Sequence, residues 1–115
     1  MSDDNKWVKL SLEDALPRLR SNDDTLTHLN FEGNKIGAEG ARALADALKE
    51  NTTLTNLDLY DNEIGAKEAI ALLDALKENT TLTLLDLGHN NIGVEGAIAL
   101  ANALKGNNTL TELSL

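Results

Sequence analysis

The sequence predicts an α/β fold of the open, repeating kind: a short right-handed solenoid, a horseshoe segment with a parallel sheet on its concave side and helices on its convex side. Three observations predict it. First, the 28-residue stretch Leu54 to Thr81, LTNLDLYDNEIGAKEAIALLDALKENTT, is written again before it from Leu26 to Thr53 and after it from Leu82 to Thr109, with half of the aligned columns identical. Self-similarity at a fixed period is the mark of a stacked array. Second, the hydrophobic period changes inside each unit, from a short LxxLxL run that suits one strand to a longer stretch with helical spacing. Third, neither half is stable alone: a single strand has no ladder partner, and one helix of about 12 residues is marginal in water. Stacking like on like solves both problems, placing equivalent strands about 4.8 Å apart in a parallel sheet with each crossover helix packed behind it. The helix layer is wider than the strand layer, so the stack curves with its strands inside.

The elements follow in order. Trp7-Val8-Lys9-Leu10-Ser11-Leu12 is aligned with Leu26-Thr27-His28-Leu29-Asn30-Phe31, which makes it a degenerate strand with Trp7 at the first Leu position. From Glu13 to Thr25 the unit is cut short, and a brief helix presents Leu12, Leu16 and Leu19 on one side. Pro17 is expected to limit that helix, because deep inside it a proline removes a backbone bond and costs about 3 kcal/mol. Residues 1–25 therefore read as an N-terminal cap, as terminal units of arrays require. Residues 26–53, 54–81 and 82–109 are three full units. In the central one Leu54, Leu57 and Leu59 point inward from the strand, and Ile64 plugs the core. Gly65 is expected to take a turn conformation closed to residues with a Cβ, and Ala69, Leu72, Leu73 and Leu76 form the buried stripe of the helix. Residues 110–115, LTELSL, form a fifth strand of the same form.

The pattern LxxLxLxxNxIG, followed by a helix reading GAxALAxALKxN, resembles the leucine-rich repeats of the ribonuclease-inhibitor type, found also in NOD-like receptor arrays and in Ran GTPase-activating proteins. The resemblance covers Leu26 to Leu115 plainly and Trp7 to Thr25 loosely. It implies a leucine-rich-repeat solenoid that binds a protein through its concave strands. Regulation of a GTPase is a further expectation that rests on this resemblance alone.

Composition narrows the function. The formal charge is −9, which disfavours nucleic acid and anionic membrane surfaces, since both call for clustered Lys and Arg. No run reaches the roughly 18 apolar residues of a membrane span, and Met1 to Lys6 has no apolar core of a signal peptide. There is no cysteine, which excludes a disulfide scaffold, a thiol nucleophile and a thiolate zinc site. The expected setting is cytoplasmic.

Candidate sites separate into repeated and varying columns. Asn34, Asn62 and Asn90 hold one column and are expected to be buried amides that satisfy the backbone of the turns. Gly37, Gly65 and Gly93 fit no phosphate-binding pattern. Glu39 and Glu95 near helix starts, and Lys49, Lys77 and Lys105 near helix ends, suit the helix dipole. Asp58 and Asp86 fall on adjacent strands, but with Asn30 and Ser114 in the same column they make no acid–base pair. His28 and His89 are two units apart in different columns, too far to share a metal. The expectation is no enzyme, no metal and no cofactor. What remains is the varying concave set His28, Asn56, Asp58, Tyr60, Asp61, Leu84, Asp86, His89 and Glu112. Tyr60 and Leu84 stand centrally among acids, an anchor-and-rim arrangement for a protein partner with a basic, partly apolar face. At the far end Leu110, Leu113 and Leu115 lie on an uncovered edge strand, which invites self-association as a two-fold homodimer. The same features also suit an engineered or truncated repeat scaffold whose activity is self-assembly.

Overall fold

The computed structural model describes residues 6–115; the first five residues of the expected cap, with the signal-peptide expectation placed on them, lie outside this range. Strands and helices alternate throughout: β1 (Trp7–Lys9), α1 (Leu12–Arg20), β2 (His28–Asn30), α2 (Gly37–Glu50), β3 (Asn56–Asp58), α3 (Ala66–Leu76), β4 (Leu84–Asp86), α4 (Gly93–Leu104) and β5 (Glu112–Ser114). The five strands form one parallel sheet in sequence order. Each helix packs on the next behind it, α1 on α2, α2 on α3 and α3 on α4. The α/β solenoid expected from the period is what forms. No described helix is long and apolar enough to cross a membrane.

The core lies between sheet and helices and is built in layers. Leu29, Leu57 and Leu85, the middle residues of β2, β3 and β4, are buried in register with one another. Behind them Leu44, Leu72 and Leu100 fill the equivalent helix position, and Ile64 is fully buried, as its place between strand and helix predicts. Phe31, Leu59 and Leu87 form a second inward row. Each layer buries its face only because another covers it.

Polar ladders tie the layers at both ends of the strands. On the turn side, Asn62 Oδ1 accepts from the backbone N–H of Asn34 at 3.0 Å and of Ile36 at 3.2 Å, while its Nδ2 donates to Phe31 O and Tyr60 O. Asn90 repeats this one unit on, accepting from Asn62 and Ile64 N–H and donating to Leu59 O. Of the three amides only Asn62 is fully buried; Asn34 is exposed, because the shortened cap offers no equivalent turn to stack over it, but its Nδ2 still makes the ladder bond to Leu10 O, the counterpart of Phe31 O. On the opposite side Asn51, Asn79 and Asn107 form a second ladder: each Oδ1 accepts from two N–H groups ahead of the next strand, and each Nδ2 reaches back to Leu19, Leu48 and Leu76 O, respectively. Between the ladders Thr55, Thr83 and Thr111 each donate Oγ1 to the preceding threonine's carbonyl at 3.1 Å.

Three local expectations are corrected. Trp7 pairs with His28 and Val8 with Leu29, so Trp7 occupies the outward concave column, not the first Leu position. A slip of two residues leaves the in–out alternation of a strand intact, so alternation could not detect it. Helix α1 passes through Pro17 and ends at Arg20. It is held by the Ser11 side chain at its N-terminus and by Arg18 Nε on Asp23 Oδ2 at 2.7 Å just beyond its end. Hydrogen bonds from Thr25, with Arg18 beside it, hold the Asp23 carboxyl down at about 2.

The third concerns Gly65. Its backbone is extended, at φ −91° and ψ −176°, whereas Gly37 and Gly93 in the same column have φ +68° and +74°. In the central unit the left-handed residues are Asp61 and Glu63, at φ 60° and 59°, and Gly65 precedes α3 in an extended conformation, donating its N–H to Glu68 Oε1 at 3.2 Å. The expected outcome is that Gly65→Ala changes stability by less than about 0.5 kcal/mol, since only the movable Glu68 carboxylate is near the added Cβ. Gly37→Ala and Gly93→Ala each lose about 1–2 kcal/mol to a strained left-handed backbone. Urea denaturation of the three variants checks the contrast.

Candidate functional site

The concave face is two rows of side chains that cross the strands. The strand register places Trp7, His28, Asn56, Leu84 and Glu112 in one row, and Lys9, Asn30, Asp58, Asp86 and Ser114 in the next. Each strand is three residues long with its middle residue turned inward, so its first and third residues both face outward. The site residues expected on the strands are therefore brought onto one surface.

The Asp residues have a local structural role beside any other. Asp58 Oδ1 accepts from Tyr60 N–H at 2.9 Å and Asp86 Oδ1 from Gly88 N–H at 2.8 Å, while Asn30 does the same for Glu32. The side chain bonding its own backbone two residues on turns the chain out of the strand. One oxygen of each carboxylate is thus committed. Ion pairs among the described residues are Arg18–Asp23, Arg42–Glu68, Lys49–Asp46 and Lys77–Asp74, all within the cap or the helix layer. Asp58, Asp86, Asp61 and Glu112 take part in none of them.

Beyond the strands, Tyr60 lies stacked on His89 with ring centroids 5.6 Å apart and planes 21° from parallel. Gly88 makes this possible: a Cβ there would come within 3.0 Å of both the Tyr60 ring and Asp86 Oδ1. Asp61 and His89 hold the same turn position of adjacent units at φ 60° and 55°, and Asp61 N–H donates to Gly88 O. Sequence reasoning singled out Tyr60 and His89 separately, but their pairing follows from the one-unit offset of neighbouring turns.

His28 belongs to a different cluster. The Trp7 ring meets it edge-on at 5.3 Å, and Thr27 Oγ1 lies 2.9 Å from its Nδ1. Trp7 was absent from the expected site because the two-residue register error set it in the first Leu column. Partial burial, followed by the charge of Lys6, lowers the His28 pKa below its ordinary 6.5. The folded state therefore binds its proton less readily than the unfolded one. The contribution of neutral His28 to stability is complete above pH 6.5 and shrinks as pH falls below it. A proton NMR titration is expected to place the His28 midpoint below 6.5; a midpoint at or above 6.5 contradicts this account of its surroundings.

At the far edge Leu110 and Leu113 are half-buried and Leu115 is 58% exposed, with Val94 and Ile98 of α4 also exposed. Among the described residues no group of three His, Asp or Glu side chains is placed to hold a metal ion.

Layers of strand, turn and helix joined by buried asparagine ladders define the class, and this is a leucine-rich-repeat protein. Residues 9–115 match the TMOD/LMOD Leucine-rich domain, and the chain belongs to that family. The repeat class expected from the resemblance holds; the family found is the TMOD/LMOD one, and these matches give no support to the finer ribonuclease-inhibitor subtype or to GTPase regulation. Among solved structures, one titled "Leiomodin-1 Actin-Binding Site 2 (ABS2)" superposes with a TM-score of 0.84 at 34% identity, over 89% of this chain and 60% of that one. A tropomodulin C-terminal domain from Caenorhabditis elegans superposes at 0.80 with 22% identity, over 90% of this chain and 63% of that one, a likeness of fold. The chain thus spans about three-fifths of each of these relatives. No curated protein sequence matches it.

Proposed function

We propose that this chain is a protein-binding module of the actin cytoskeleton, in a cytoplasmic setting, and that it engages actin through its concave face. The observation that carries the reading is the family match over residues 9–115, joined to the 34% identity with a structure named for an actin-binding site. The concave face supports it physically. It is the surface on which units of one scaffold differ, and its acids Asp58, Asp86 and Glu112 have no ion-pair partner among the described residues, which leaves them for basic groups of a partner.

The test uses monomeric actin and substitutions that spare the fold. Asp58→Asn with Asp86→Asn removes charge while keeping the oxygen that accepts from the backbone, as Asn30 already does in its own strand. Combined with Tyr60→Ala and Leu84→Ala, these changes are expected to weaken binding by about a hundredfold, the scale of two hot-spot losses. Ile70→Ser and Ile98→Ser on the helices should change it less than about threefold. If the helix substitutions abolish binding while the concave ones leave it intact, the assignment of the face is wrong.

A further inference from the structure

The two concave rows differ in chemistry across β2, β3 and β4, while the end strands add Lys9 to the head of the second row and Glu112 to the foot of the first. The first places Trp7 and Leu84 on either side of His28 and Asn56; the His28 ring leans on Trp7, and Asn56 Oδ1 accepts from Thr55 Oγ1. The second places Asp58 beside Asp86, with Asn30 and Ser114 flanking them. A strip with apolar anchors at Trp7 and Leu84 therefore runs beside one whose centre is acidic, and the two are separated by two residues of strand, about 6.6 Å.

From this geometry we infer that the element bound on the concave face is an amphipathic α-helix lying across the strands, with its apolar stripe on the Trp7–Leu84 row and an adjacent basic stripe on the Asp58–Asp86 row. An extended segment presents alternate side chains to opposite faces, so it offers the sheet one stripe. A helix offers two adjacent stripes along one side, at the spacing of its i, i+3 and i+4 positions. Five strands span four gaps of about 4.8 Å, roughly 19 Å, which a helix of about 13 residues covers at 1.5 Å per residue. Charge complementarity fixes the sign of the second stripe: its two central Asp side chains lack ion-pair partners among the described residues, they outnumber the row's one cation, Lys9, and the whole chain carries −9.

This inference rests on the concave-face reading, and its test separates the two. The probe is a synthetic 14-residue helical peptide without tryptophan, with Leu along one stripe and Lys along its neighbour, followed through the emission of Trp7, the one tryptophan in the chain. It is expected to bind saturably and at least about tenfold more tightly than a peptide of the same composition with its stripes scrambled, or one with Glu for Lys. Leu84→Ala should weaken it about tenfold at low and at high salt, whereas Asp58→Asn with Asp86→Asn should weaken it about tenfold only at low salt. Equal binding of the scrambled peptide, no saturable binding of the striped one, or indifference to both sets of substitutions overturns the inference. Should actin binding depend on the concave residues while the striped peptide fails, the helix inference alone falls. Should the peptide bind as stated while those residues are irrelevant to actin, the actin reading alone falls.

Discussion

Asn62→Ala is expected to lower the unfolding free energy by about 3–4 kcal/mol, more than most polar-to-alanine changes, because one side chain satisfies four backbone groups in two layers. Its Oδ1 accepts from Asn34 and Ile36 N–H, its Nδ2 donates to Phe31 and Tyr60 O, and none of it reaches solvent. Truncation opens a small cavity between layers and removes all four bonds; Asn34 N–H and Phe31 O still pair with each other and Tyr60 O still accepts from Gly33 N–H, so the donor left stranded with its desolvation penalty is Ile36 N–H. The melting temperature should fall by roughly 10–15 °C, the scale for a domain of this size. Asn34→Ala, at the exposed head of the same ladder, should cost under about 1 kcal/mol. A buried position that proves no more sensitive than the exposed one would show that the ladder does not hold the layers together.

Leu57→Ala is expected to cost about 3–5 kcal/mol, the range for emptying a leucine site in a core that collapses poorly. Leu57 is the middle residue of β3, fully buried, with Leu29 and Leu85 in register on either side. Covered by a layer on both sides, it leaves a void that neither neighbour can fill without breaking its own register. Leu113→Ala, the same column in the half-exposed β5, should cost no more than about 1–2 kcal/mol, since much of its surface never left water. Denaturant titration of the pair reads the difference directly, and equal losses would argue against a core built from layers.

Much of this fold was legible in the sequence because repetition made each unit its own control. Identical columns such as Leu54, Leu57, Ile64 and Leu72 are inward residues, and the change of period between them separated strand from helix. What escaped had a specific physical cause in each case. Trp7 was misplaced because a two-residue slip preserves alternation, and with it went half of the aromatic cluster on the concave face. Gly65 carries the same letter as Gly37 and Gly93, yet its backbone is extended and its N–H is taken by the Glu68 carboxylate. The second ladder, Asn51, Asn79 and Asn107, was present as an identical column, but its role needs the three-dimensional nearness of helix ends one unit back. The particular family was not legible because the columns supporting the resemblance are those of stacking, and stacking is common to the class. The pairing of Tyr60 with His89, 29 positions apart in the chain, is a consequence of unit offset combined with the missing side chain at Gly88.

The central claim is that varying residues on the strands, held outward by a repeated scaffold, form the binding surface. It is tested most directly by mapping amide shifts of the isotope-labelled chain on addition of monomeric actin. The account predicts changes concentrated at His28, Asn56, Asp58, Leu84 and Asp86 and at the Tyr60–His89 pair, with Arg42, Ile70 and Ile98 on the helices unmoved. Changes confined to the helices, with the strand residues unaltered, would contradict it.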